Sequence, residues 1–314
     1  MSRFKINLML VLASSLLAGC YSDTTNITDT KLLDRLVELE HRAITNLVFI
    51  EGGRFTMGDF GAVGDDGIWR PFFPPTLELN QPHEVTLSSY SLSRHKTTWE
   101  DFDTYLLANN LDVIERVFEE KRRRIPFNDD ESSRFYLKKP AEVTWREAEE
   151  YCRWLGLRTG LPLALPTSAQ WEFAARNRGS TEWVFSTHDG KPLHFHRDLY
   201  EQVGEGAERV PVGSRLPSNP LGVYDMADNG MEWVSDWYSD TWYRNNQNMT
   251  NPTGPVDGTE KTLRNLDFSF SRIGMPETVP TLHSADRLHI GEFTFRCALQ
   301  RPTPLNTTGG KHAD

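Results

Sequence analysis

The chain has 314 residues, a formal net charge of −10 and a pI near 5.4. That acidic balance excludes the broad basic surface needed to hold nucleic acid or an anionic membrane, so no nucleic-acid partner is expected. The length exceeds an average domain but suits a single large one, and no internal repeat divides it.

Arg3 and Lys5 form a charged start, and residues 6–17 are an apolar run too short to span a bilayer comfortably. The run leads into Leu17-Ala18-Gly19-Cys20, which resembles the lipobox of bacterial lipoproteins. The resemblance implies that residues 1–19 are a cleaved signal peptide and that Cys20 is the lipidation site. The acyl chains on Cys20 would then anchor the protein to a membrane on its periplasmic side, since several chains anchor stably where one binds marginally. Tyr21 rather than Asp follows Cys20, as in lipoproteins sent to the inner leaflet of the outer membrane. A plain secretory signal with a chance cysteine is the bland alternative.

Residues 20–47 divide into a polar tether, 21–31, and a segment in which Leu32, Leu33, Leu36, Val37 and Leu39 recur at helical spacing. The main domain is expected over 48–300, where short apolar runs are broken by Gly, Pro and Asn, followed by a flexible tail at 301–314. His83-Glu84-Val85-Thr86-Leu87 predicts a short strand. Lys121-Arg122-Arg123-Arg124 lies among acids and predicts a solvated loop. Three segments fit the capping box, in which a hydroxyl accepts from an orphan N–H and an acid or amide reaches back: Thr97 to Glu100, Thr144 to Glu147 and Thr167 to Gln170. After Thr144, the positions Trp145, Ala148, Cys152 and Leu155 form one apolar stripe, and Trp171, Ala174 and Ala175 follow Thr167. The class is therefore α+β with much irregular backbone. Without Cys20, Cys152 and Cys297 remain, an even count that suggests a disulfide in an exported protein, with two buried free thiols as the alternative.

Taken in order, the motifs resemble the domain of formylglycine-generating enzymes, also called sulfatase-modifying factors. They are the opening strand Phe49 to Gly58, the stretch Pro140 to Gly179 (VTW, EAEEYCRWL, LPTSAQWEFAAR), Asn219 to Met226, Asn229-Gly230-Met231-Glu232-Trp233, and Phe295-Arg296-Cys297-Ala298. The resemblance implies a C-type-lectin-like fold with little regular secondary structure, and in relatives the cysteines matching Cys152 and Cys297 are disulfide-bonded. It also implies a structural calcium ion held by Asn229, Glu232 and the backbone of Gly230, oxygen ligands suited to a hard cation. Met231 replaces the motif's tryptophan and Asp228 its preceding glycine, and local backbone capping by Asn229 and Glu232 is the alternative.

Catalysis in the family uses a cysteine pair that binds copper and activates oxygen, chemistry that requires thiolates. The matching segment, Leu263 to Gly291, contains no cysteine, and Asn265, Leu266 and Asp267 replace its two glycines and serine. No catalytic residues and no copper are therefore expected. His194 and His196 form a H-x-H pair, which is more often ordinary surface or core than a metal site. The resemblance favours a non-catalytic protein-binding module on a lipoprotein, similar to accessory or regulatory lipoproteins of secretion systems or to toxin-neutralising immunity lipoproteins. Trp242 and Tyr243, in an aromatic stretch, are the expected contacts for a protein partner, while Trp233 and Trp237 are expected in the core. The competing reading is an enzyme with altered oxidative or metal-dependent chemistry in a pocket near Asp267, Asp286 and Arg287. In that reading Arg264 with Asp286 and Arg287 is equally an ion-pair network.

Overall fold

The computed structural model describes residues 29–117, 120–196, 209–265, 268–278 and 293–305. Cys20 and the signal segment, Asp267, Asp286 and Arg287 lie outside the described residues.

Helix α1 (Thr30–Thr45) starts where the Asp29 carboxylate accepts from the amides of Lys31 and Leu32. Leu36 and Leu39 are buried, whereas Leu33 and Val37 are exposed, so the apolar stripe is narrower than its sequence implies. Arg42 pairs with Asp101 at 2.7 Å, so α1 lies against α2 (Trp99–Ala108) as part of the packed unit. No helix among the described residues is long and apolar enough to cross a membrane.

Helices α3 (Trp145–Thr159) and α4 (Ser168–Ala175) each begin in a completed capping box, Thr144 with Glu147 and Thr167 with Gln170. Each such cap is worth roughly 1 kcal/mol. The first expected box differs. The N-cap of α2 is Thr98, which accepts from Asp101, because the Thr97 backbone is already paired with Phe295 and Ala141. Gly160 closes α3 at φ 67°, a left-handed conformation that costs glycine little.

Three sheets of three or four strands and two two-stranded hairpins hold the described strands. The first runs in the order 47–50, 90–93, 298–299, 163–164, all antiparallel. The second orders 273–275, 261–264, 231–237 and 293–294, with the last pair parallel. The third places 83–87, the strand expected from sequence, between 249–250 and 53–57. The basic run is not a loop: Ile114–Val117 and Glu120–Arg123 form an antiparallel hairpin. Arg124 beyond it is buried and bonded to the Asp103 carboxylate, which supplies the compensating charge.

Two apolar clusters fill the interior. One joins Leu39, Phe102, Tyr151, Leu155 and Phe295 around the disulfide, and the other joins Ile50, Val85, Trp171 and Val234. Cys152 on α3 is bonded to Cys297, with Cα atoms 5.6 Å apart and a sequence separation of 145.

Candidate functional site

The segment 225–233 turns tightly before entering the second sheet. Asp225, Asn229 and Gly230 take positive φ (59°, 59° and 104°), a conformation that Asn and Gly adopt readily. The Asp228 and Gly230 carbonyls thereby point at one spot, and that spot is filled by the Lys96 ammonium. It donates to Asp228 O at 2.9 Å, to Gly230 O and to Thr294 Oγ1 at 3.4 Å, and lies 3.4 Å from Glu232 Oε1. The Asn265 amide nitrogen approaches the same carbonyls, at 2.7 Å and 2.8 Å, and Asp225 O at 3.3 Å.

The calcium assignment to Asn229, Gly230 and Glu232 does not fit this arrangement. Glu232 is committed to Arg296 through two bonds, at 2.7 Å and 2.9 Å, as well as facing Lys96. Asn229 instead holds the backbone of Val210, accepting from its N–H and donating to its carbonyl at 3.1 Å each. The Gly230 carbonyl is already bonded to the protein's own cation. Lys96 and Glu232 side chains are both 0% exposed, so the ammonium supplies the positive charge that the oxygen cluster demands. Burial pulls the Lys96 pKa from 10.5 to about 8, with Glu232 working in the opposite direction. Burial alone would raise Glu232, but Arg296 and Lys96 outweigh it and hold the carboxyl below its usual range.

A second buried network lies beside the segment that matches the family's catalytic region. Glu172 on α4 accepts from Gly58 N and Arg176 Nη1, both at 2.9 Å, and from Arg264 Nη2 at 2.6 Å. Arg264 also donates to the carbonyls of Ser269 and Phe270. Its guanidinium thus ties strand 261–264 to α4 and to the following turn, through Glu172 rather than the Asp286 and Arg287 considered from sequence, which lie outside the described residues.

Trp233 is fully buried and its indole donates to Val143 O. Trp237 is half-buried, with Lys261 Nζ 3.7 Å from its ring. The expectation of an exposed Tyr243 is corrected: it is 5% exposed, stacked on His83 with centroids 4.6 Å apart, and Arg272 covers its ring. Trp242, beside it on the short helix α5 (Trp242–Asn245), is half-buried. Among the exposed apolar side chains, which are scattered along the chain, Val63, Ile68, Trp69 and Phe73 fall together in sequence on and after the hairpin formed by 62–63 and 69–70. Trp69 is oriented by its indole bond to Phe60 O at 2.9 Å, and Phe73 stacks on Phe268.

A pocket of about 260 Å³ opens between α1 and the first sheet, bounded by Leu39, Arg42, His95, Tyr151 and Pro211. The one sulfur on its wall, Cys297, is held in the disulfide and is no nucleophile. Burial lowers His95 to about 4, leaving a neutral imidazole at neutral pH. Lys96, Asn265 and Arg296 carry polar roles that sequence reading did not assign.

Residues 34–271 match a family model described as the sulfatase-modifying factor enzyme 1-like domain. The chain is 30% identical over 246 residues to the serine/threonine-protein kinase pkn1 of Chlamydia caviae, covering 74% of this chain and 35% of that protein. It thus spans about a third of that relative's length. It is 26% identical over 247 residues to the inactive C-alpha-formylglycine-generating enzyme 2 of Bos taurus, covering 66% of this chain and 76% of that one. Among solved structures, PvdO from Pseudomonas aeruginosa matches with a TM-score of 0.55 and 23% identity, over 81% of this chain and 93% of that one.

Proposed function

The chain belongs to the sulfatase-modifying factor enzyme 1-like family, and on that premise we propose that it is a non-catalytic member serving as a protein-binding module on a membrane-anchored lipoprotein. The fold is the α+β, C-type-lectin-like fold of that family. One observation carries the reading. Apart from Cys20 the chain has only Cys152 and Cys297, and these are joined to each other, so no thiolate pair is left to hold copper or pass electrons to oxygen. One relative supports it by name, being called an inactive formylglycine-generating enzyme.

The surface offered to a partner is the patch of Val63, Ile68, Trp69 and Phe73 rather than Trp242 and Tyr243. Val63 and Trp69 face each other across the hairpin, exposed apolar groups brought together mark interaction sites, and an aromatic fixed by a hydrogen bond loses little entropy on binding. With Cys20 lipidated, the module would stand in the periplasm, on the inner leaflet of the outer membrane. Accessory component of a secretion system and immunity lipoprotein are the two roles that fit that address.

The test is turnover. The purified chain, incubated with a CxPxR-type peptide, copper and oxygen, is expected to leave the cysteine unconverted by mass spectrometry. Copper-dependent formation of formylglycine would overturn the reading.

A further inference from the structure

The loop that follows α4 contains a group of side chains apart from the two buried networks around Glu232 and Glu172. Thr187 Oγ1 donates to Lys191 O at 2.7 Å, and Lys191 N donates to Asp189 Oδ1 at 3.1 Å, closing a tight turn. The short 3₁₀ helix Leu193–His196 then brings the chain back over that turn. His196 Nε2 lies 3.0 Å from Asp189 Oδ1, and the His188 and His196 rings have centroids 4.6 Å apart. One ligand-type atom from each of His188, Asp189 and His196 lies within 4.8 Å of the other two. His188 Nδ1 is shielded from solvent and has no hydrogen-bond partner, while the His196 side chain is 9% exposed.

We propose that His188, Asp189 and His196 form a binding site for a first-row divalent transition-metal cation, for which zinc is the probe. Two imidazole nitrogens and one carboxylate oxygen are the donor set that such cations prefer over calcium or magnesium. Donors bound to one ion at about 2.0–2.2 Å stand roughly 3–4 Å apart, so the observed spacing needs only small side-chain rotations. A lone imidazole nitrogen hidden from water calls for a partner, and a cation between the two rings provides one. The competing cation, Lys191 Nζ, lies 3.4 Å from the other Asp189 oxygen on a side chain 66% exposed, which water can take over at little cost.

Three protein donors leave a coordination position for water or for a side chain of a bound partner. The loop is fixed to the body of the domain. Ser269 N donates to Val184 O at 2.9 Å, Ser269 Oγ donates to Trp183 O at 3.0 Å, and Phe185 stacks on Phe268. The ion would therefore stiffen an exposed loop beside the turn that contacts Arg264, whether or not the protein-binding reading holds.

The experiment is zinc titration calorimetry on the full chain in detergent after chelator stripping, with cobalt absorption as a report of nitrogen ligation. One equivalent of zinc is expected, with a zinc-dependent rise in melting temperature. His188→Ala and His196→Ala should each weaken binding by about tenfold or more. His194→Ala, on the exposed side of the same helix, should bind as the parent does. Metal-free melting curves of all variants, with His188→Gln as a milder change, separate ligand loss from misfolding. Absence of zinc-dependent heat and melting shift would overturn the proposal, as would equal zinc binding by the parent, His188→Ala and His196→Ala.

Discussion

Replacing Lys96 with alanine tests whether the ammonium acts as the domain's internal cation. The change removes two charge-assisted bonds to the Asp228 and Gly230 carbonyls, each worth about 1.5–3 kcal/mol. Glu232 keeps Arg296, so no carboxylate is left unpaired. Against this loss stands the cost of burying the charge. A pKa held at about 8 rather than 10.5 corresponds to roughly 3 kcal/mol against the ionised form in the folded state. The net loss is therefore expected to be modest, from none to about 3 kcal/mol in chelator, by urea denaturation. The pH dependence has a defined sign. Between pH 8 and 10.5 the folded parent binds fewer protons at Lys96 than the unfolded chain does, so this residue makes stability rise with pH across that window. Lys96→Ala should lack that rise. The parent should melt at one temperature in calcium and in chelator. A calcium-dependent rise in the parent that Lys96→Ala lacks would refute the argument.

Glu172→Gln leaves Arg176 and Arg264 buried without their shared carboxylate and should cost about 3–5 kcal/mol in urea denaturation, with no compensation from added metal. Non-reducing peptide mapping should recover Cys152 and Cys297 as one linked pair. Their reduction should lower stability by up to roughly 5 kcal/mol through the freed loop, and two alkylatable thiols in the native protein would contradict the pairing. Cys20→Ser should move the protein from the membrane fraction to the soluble one, and retention on membranes at high salt would contradict lipid anchoring.

What could be read from the sequence was local. The boxes at Thr144 and Thr167 form because donor and acceptor lie three residues apart, so tertiary context had little to change. Thr97 failed as a cap because Phe295, nearly two hundred residues away, claims its amide. The same distance hid the cation site: Lys96 reaches Gly230 across 134 residues, and no spacing rule connects them. Asn265 could be seen as a replaced glycine, but that its amide would take the same carbonyls depended on a left-handed φ of 71°. Tyr243 looked free because its cover, His83 and Arg272, comes from other strands and turns. The histidine pair was half visible. A strand would have put His194 and His196 on one face, but a 3₁₀ helix with three residues per turn separates them and gives His196 the more distant His188 as neighbour.

The strand 298–299, among the last described residues, lies at the centre of the first sheet, between 90–93 and 163–164. A ribosome or a translocation pore releases the chain from its amino end, so this sheet has a gap at its middle until residues 298–299 have emerged. The domain therefore cannot mature progressively. Until 298–299 inserts, the facing edges of 90–93 and 163–164 lack their partner strand. The Cys152–Cys297 bond, formed one residue before that strand, then records the insertion covalently. Truncation before Ala298 would leave a permanently unfinished sheet, an attractive substrate for proteases and chaperones rather than a smaller working module.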